Sequence, residues 1–176
     1  KEDLEFATLP AHLDGRISSY RVFQWYDSQK KGLANDTRGF LPELLEVSTC
    51  YSFGTGEYRL PDMECMPHRI TESWPSPAEC GSKTYSCHMK TNNEPGNLED
   101  DPKGEIESVE LILSNWQDLM RTGMRLCSES SHDGSMAHLK EFISEIDKRG
   151  WRCDILDLHC YWADRFDKMQ DYYNDY

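Results

Sequence analysis

Residues 109–162, VELILSNWQDLMRTGMRLCSESSHDGSMAHLKEFISEIDKRGWRCDILDLHCYW, switch repeatedly between helical and extended patterning. Val109, Ile112, Leu113, Trp116, Leu119 and Met120 recur at i, i+3, i+4 and i+7, the apolar stripe of a helix. Gly123 supplies its stop. Met124–Cys127 reads as a short strand. Asp133-Gly134-Ser135 then offers an N-terminal cap to a second helix, with Leu139, Phe142, Ile143 and Ile146 on one face and Gly150 as its end. Cys153–Trp162 is the next strand. Strands separated by amphipathic helices are the signature of βα units and a parallel sheet, because parallel neighbours need a crossover connection.

The same rhythm extends upstream to residue 30. Lys31–Ala34 reads as a first strand, Gly39–Val47 as a short helix, and Ser48–Phe53 as a second strand closed by Gly54-Thr55-Gly56. Met63–Arg69 is a third strand, with Pro67 near its end. Tyr85–Lys90 is a fourth, running into Thr91-Asn92-Asn93-Glu94-Pro95-Gly96. Asp164–Tyr176, with Phe166, Met169 and Tyr173 inward, reads as a final helix. Residues 1–29 form an N-terminal segment of unassigned role, and 30–176 a single α/β domain. The expected architecture is an incomplete (β/α)8 barrel of about six βα units, against eight and about 250 residues in a complete one. Two absent strands would leave open parallel edges. The expectation is therefore a chain cut short after the sixth unit, or one whose edges are covered by a partner chain.

Composition narrows the partners. Hydrophobic residues are 38% and charged residues 29%, ordinary for a globular domain and too apolar for a disordered one. A net charge of -13 argues against nucleic acid and anionic membrane surfaces. A neutral polysaccharide or oligosaccharide meets no such repulsion. No apolar run approaches the ~20 residues of a membrane span. A start at Lys1 instead of Met suggests a processed or incomplete chain, and Asn35-Asp36-Thr37 would accept an N-glycan in a secreted protein. Neither a G-x-G-x-x-G nor a P-loop pattern occurs, so no cofactor is expected. The seven cysteines include no C-x-x-C pair, so no metal site is expected either. Most fit buried free thiols. Cys80 and Cys87, flanking a polar turn, are the best disulfide pair.

In a parallel barrel, chemistry gathers where strands run out into loops at the C-terminal face. Those strand ends carry Tyr51 and Phe53, Glu64 and Arg69, Asn93 and Glu94, Glu129, then His159, Tyr161 and Trp162. Carboxylates with aromatic faces suit sugar chemistry, the rings stacking on pyranose C–H faces and the carboxyls moving protons. Asn93-Glu94-Pro95 is the most informative triplet. It reads either as an acid poised beside an amide or as a plain turn of turn-forming residues.

Several blocks in order carry a family resemblance: Lys30–Asp36 (KKGLAND), Tyr51–Gly54 (YSFG), Met63–Arg69 (MECMPHR) followed by Trp74-Pro75, Asn93-Glu94-Pro95, Trp116–Leu126 (WQDLMRTGMRL) and Asp154–Trp162 (DILDLHCYW). Over residues 30–176 the chain resembles the clan A (β/α)8 glycoside hydrolases, most closely the family 128 endo-β-1,3-glucanases and the fungal alkali-sensitive-linkage cell-wall proteins. The resemblance implies retaining hydrolysis of a β-glucan, with Glu94 as general acid/base and Asn93 holding substrate. His159 and Tyr161 would line the subsite next to the nucleophile, with Tyr51, Arg69, Trp74 and Trp162 as further contacts. Trp74 and Trp162 equally suit a roof over the core, and Arg69 a structural ion pair. A secreted or cell-wall setting is implied. Three departures stand out. The strand before Glu94 is polar (Ser86–Thr91), Glu129-Ser130-Ser131 replaces small apolar residues, and the family's nucleophile lies on a later strand. The alternative is a glycan-binding or structural cell-wall component that kept the cleft and lost catalysis.

Overall fold

Every strand pairing named below is parallel, and in each of two sheets, one of three strands and one of four, neighbours follow chain order. The computed structural model describes residues 32–34, 47–55, 63–97 and 108–159. The N-terminal segment 1–29, most of the expected helix Gly39–Val47, the final helix Asp164–Tyr176, and Asn35, Cys160, Tyr161 and Trp162 lie outside them.

Strands β1 (Gly32–Ala34), β2 (Thr49–Tyr51) and β3 (Glu64–Met66) pair side by side, with Leu33 opposite Cys50 and Cys50 opposite Cys65. Pro67 has no N–H to give the ladder, so the expected third strand is divided there, and β4 (His68–Arg69) carries on. Lys90 N–H reaches Pro67 O at 3.0 Å, joining the two parts to β5 (His88–Asn93). β6 (Arg125–His132) and β7 (Leu158–His159) complete the order. A parallel wall that never reverses its strand order is barrel-like, unlike a doubly wound sheet.

Helices cover one side of this wall. α1 (Pro77–Gly81) falls between the expected elements, although its signal is in the sequence: Ser76 and Glu79 form a capping box and Pro77 occupies the first turn. The expected helix 109–120 is two helices, α2 (Val109–Leu113) and α3 (Trp116–Arg121). Ser114 Oγ donates to Leu111 O at 2.6 Å, and Asn115 Nδ2 to Glu72 O at 2.8 Å, which turns the chain while the apolar stripe continues. α4 (Met136–Arg149) follows a single 3-10 turn at Asp133–Ser135 and ends at Gly150, φ 61°. Ser135 does not cap it as expected; its hydroxyl donates to His132 O instead.

The helices bury Val109, Ile112, Leu113, Trp116, Leu119, Leu139, Phe142 and Ile146 against Met89, Met124 and Leu126. The Trp116 and Phe142 rings meet edge to face at 5.1 Å, and the indole N–H is satisfied by Arg152 O at 2.9 Å. Cys80 sits in this core and Cys87 beside His88; both are free thiols, so the expected disulfide between them is not formed. Cys50 and Cys65 are also buried, and their Sγ atoms lie 2.8 Å apart.

The polar stretch Ser86–Thr91 is explained on the inner side of the wall. Tyr51, Met66, His88, Lys90, Cys127 and Asp157 line one cavity of about 650 Å³. Each charged group there has a partner. Glu64 faces His88, and Lys90 pairs with Asp157, which also accepts from Ser130 Oγ at 2.7 Å. Glu64 shows the effect of such pairing: burial pushes its carboxyl up, but hydrogen bonds from His88 and Ser86 outweigh this and hold it at about 2. The last strand starts at Leu158, later than the expected Cys153, because side chains intercept its ladder. Asp154 takes Leu126 N–H at 2.8 Å, and Ser128 Oγ takes Asp157 N–H at 2.9 Å, leaving an isolated bridge at Ile155 before β7.

Candidate functional site

Glu94 follows the last residue of β5 with φ 47°, and Asn92 two residues earlier has φ 27°. Asparagine tolerates that left-handed region; for Glu94 it costs about 1–2 kcal/mol. Backbone bonds hold the strained turn. Asn93 N–H donates to Ile70 O at 2.9 Å, Glu94 N–H to Ser130 O at 3.0 Å and Asn97 N–H to Glu94 O at 3.1 Å. Glu94 is only 5% exposed. Its Oε1 lies 2.7 Å from His159 Nδ1, and Asn97 Nδ2 donates to Oε2 at 3.1 Å. The C-terminal ends of β5 and β7 therefore meet through one carboxyl–imidazole contact, at the face where barrels carry their chemistry.

Behind this turn lies a second acidic group. Glu129 on β6 is fully buried, with Oε1 accepting from Ser131 Oγ at 3.0 Å and lying 2.7 Å from His138 Nδ1 on α4. The polar run Glu129-Ser130-Ser131 thus stays inside the strand by pairing. His138 in turn closes on Gly96. A Cβ at Gly96, φ 79°, would meet the imidazole Cδ2 at 3.0 Å. Gly96→Ala is expected to cost about 1–2 kcal/mol, from left-handed strain and this contact. A urea midpoint unchanged from the parent would contradict it.

An aromatic wall follows on the β2 side. The Tyr51 ring lies 5.5 Å from His68 edge to face and 6.4 Å from Phe53, while Lys90 Nζ sits 4.4 Å over the Tyr51 ring. His68 is fully buried with neither ring nitrogen hydrogen-bonded among the described residues. Burial foremost, then the Lys90 charge and more weakly His159, pushes its pKa down to about 3 against the opposing pull of Asp157. His68 is therefore a neutral ring. Phe53 and Trp74 are about half exposed, at 54% and 51%. A Cβ at Gly54 would lie 3.2 Å from the Trp74 indole, so the loop after β2 passes close beneath that ring.

The architecture has solved counterparts. A glutamate-to-alanine variant of an endo-β-1,3-glucanase of glycoside hydrolase family 128, subgroup I, from Amycolatopsis mediterranei, in complex with laminaripentaose, matches with a TM-score of 0.69 and 22% identity. The match covers 84% of this chain and 66% of that one. The fold is that of the family 128 barrels. A second variant of the same enzyme, with laminaritriose and laminaribiose, gives a TM-score of 0.68 at 22% identity over 83% of this chain and 65% of the other. The enzyme with laminaritriose gives 0.63 at 22% identity, covering 76% and 58%. The chain thus spans about two thirds or less of its solved neighbours' length. No protein-family model and no curated protein matches the sequence.

Within this family 128 fold, the residues singled out from sequence fall into three groups. Glu94 and His159 are in contact, and Asn93 precedes Glu94 at the end of β5. Tyr51 belongs to the aromatic wall, and Trp74 stands exposed over Gly54. Arg69 is fully buried, its charge reaching the Cys80 thiol, which burial pushes up to about 11. Tyr161 and Trp162 are outside the described residues. Sequence reasoning missed Asn97 as the partner of Glu94, His68 in the aromatic wall, and the Lys90–Asp157 pair. Lys90 carried a usable signal, because a lysine inside a strand implies a buried carboxylate partner.

Proposed function

We propose that this chain is the larger part of a retaining β-glucan hydrolase, acting on β-1,3-linked glucose with Glu94 as acid/base. The observation that carries the reading is the Glu94–His159 contact of 2.7 Å, which joins the ends of β5 and β7. One proton shared across that contact can be handed to a glycosidic oxygen and later recovered from water. Phe53 and Trp74 offer ring faces to sugar, as pyranose recognition requires. The solved neighbours' complexes with laminari-oligosaccharides support the linkage. The resemblance puts the nucleophilic carboxylate on a strand after β7. A secreted or cell-wall location belongs to the same proposal, with the sequon at Asn35 as its motive.

The second reading, a glycan-binding component without hydrolysis, has its own observation. Both carboxyl oxygens of Glu94 already have side-chain partners, His159 Nδ1 at Oε1 and Asn97 Nδ2 at Oε2, as a residue held for structure and not for proton transfer would. The test is incubation of the full-length protein with a laminari-oligosaccharide while the anomeric protons of new reducing ends are followed by NMR. Shorter β-1,3 products whose first-formed anomer is β are expected. Binding without products would replace this reading by the second, and an initially α product would exclude the retaining route.

A further inference from the structure

At the other end of the wall, where strands begin, three donor side chains from two strands converge. Glu64 opens β3, His88 opens β5, and Cys87 immediately precedes it. Glu64 Oε1 is already occupied. It accepts from Ser86 Oγ at 2.7 Å, Cys87 N–H at 2.8 Å and His88 N–H at 3.0 Å. These bonds fix the carboxylate so that Oε2 points at His88 Nδ1, 2.9 Å away. Cys87 Sγ approaches the same nitrogen at 3.0 Å. One ligand atom from each residue lies within 4.8 Å of the other two.

We propose that Glu64, Cys87 and His88 form a binding site for a borderline-soft divalent cation, zinc being the best fit. Oε2 and the Cys87 thiol both face one ring nitrogen, which in either tautomer meets only one of them, donating N–H to the carboxylate or accepting the thiol S–H; a cation at their common centre engages all three. The sulfur, imidazole and carboxylate set suits zinc and not magnesium or calcium, which take oxygen shells. Tetrahedral zinc with ordinary bond lengths needs S···N of about 3.5 Å and O···N of about 3.3 Å. The present hydrogen-bonded spacings open to those values by a shift of about half an ångström. The His88 side chain is 23% exposed and free to make that shift, and it leaves solvent access for a water as fourth ligand. The three donors on Oε1 supply the outer shell that orients a ligating carboxylate. Binding replaces the Cys87 S–H bond by an S–metal bond and releases one proton to solvent; no oxidation occurs. The site lies at the strand starts, away from Glu94. Its role is to tie β3 to β5, a stabilising one at that face.

The experiment uses tag-free, metal-stripped full chain titrated with Co²⁺ and then Zn²⁺. One equivalent of Co²⁺ is expected to produce thiolate-to-metal charge-transfer absorption, removed by one equivalent of Zn²⁺. Thermal unfolding should rise by several degrees. Cys87→Ser and His88→Gln should each weaken binding by at least about 100-fold, more than loss of an outer-shell partner does. Absence of the charge-transfer band in the parent chain would overturn the proposal, as would a band persisting in Cys87→Ser. Equal thermal stabilisation of parent and variant by Zn²⁺ would also overturn it. The readouts are spectroscopic and thermal, so they stand apart from any test of glucan hydrolysis.

Discussion

Replacing Glu94 by Gln is expected to lower hydrolysis of laminari-oligosaccharides by the full-length protein roughly 10²–10⁴-fold, the range for losing one positioned acid/base group. The substitution is close to isosteric. The Gln amide retains an oxygen for Asn97 Nδ2 and an N–H for His159 Nδ1, both of which contact the present carboxyl. Fold and oligosaccharide affinity should therefore persist while turnover collapses, a change in kcat more than in KM. The role makes a sharper demand. A substrate with an activated aryl leaving group needs little protonation, so the first step should recover with it. The second step still lacks its base, and a small anionic nucleophile such as azide, which needs no deprotonation, should restore it. Equal rates for Glu94→Gln and parent protein would remove Glu94 from the mechanism. A loss that neither the leaving group nor azide alters would point to a disturbed mouth instead of a missing acid/base group.

Legibility from sequence followed the range of the interactions. α4 was readable because Leu139, Phe142 and Ile146 mark its buried face and Gly150 takes the left-handed stop. The strands were readable as βα punctuation, although their limits were not. β6 runs on through Ser128-Glu129-Ser130-Ser131, which looks like loop until Asp157 and His138 supply partners. β7 starts late because Asp154 and Ser128 take up ladder N–H groups. The contacts with Asp154 and Asp157 span 27 to 29 residues, so no local window contains both members, whereas Glu129 and His138 are only nine apart.

The site was legible to the same degree. A glutamate at the end of a fourth strand and a histidine at the end of a sixth can be predicted to share a mouth from barrel geometry alone. Their 2.7 Å contact and the left-handed backbone at Glu94 cannot. Lys90 and His88 counted as departures in a strand expected to be apolar, and their fit became visible only when Asp157 and Glu64 arrived from other strands. A charged strand in a barrel is therefore weak evidence against a barrel. It is better evidence for complementary charge on neighbouring strands.

Acidification supplies the second large effect, and its sign follows from His68. The folded pKa of about 3 lies below the ordinary 6.5, because the ring is buried and Lys90 is near. The unfolded chain therefore takes up the proton first. Stability is complete above pH 6.5 and is lost as pH falls toward 3. Between pH 6.5 and 4.5 this one ring should remove about 2 kcal/mol. Glu64 does not share that window; held near 2 against 4.5, it contributes above 4.5 and loses its contribution only below it. The measurement is urea denaturation of parent and His68→Phe at both pH values, with chelator present throughout. Phenylalanine fits a position flanked by Tyr51 and Phe53 and brings no proton in either state. The parent should lose about 2 kcal/mol more than the variant across the window. Parallel losses in the two proteins would mean that the imidazole is charged in the folded state, in which case His68 cannot be a dry, unpaired ring beside the Lys90 ammonium.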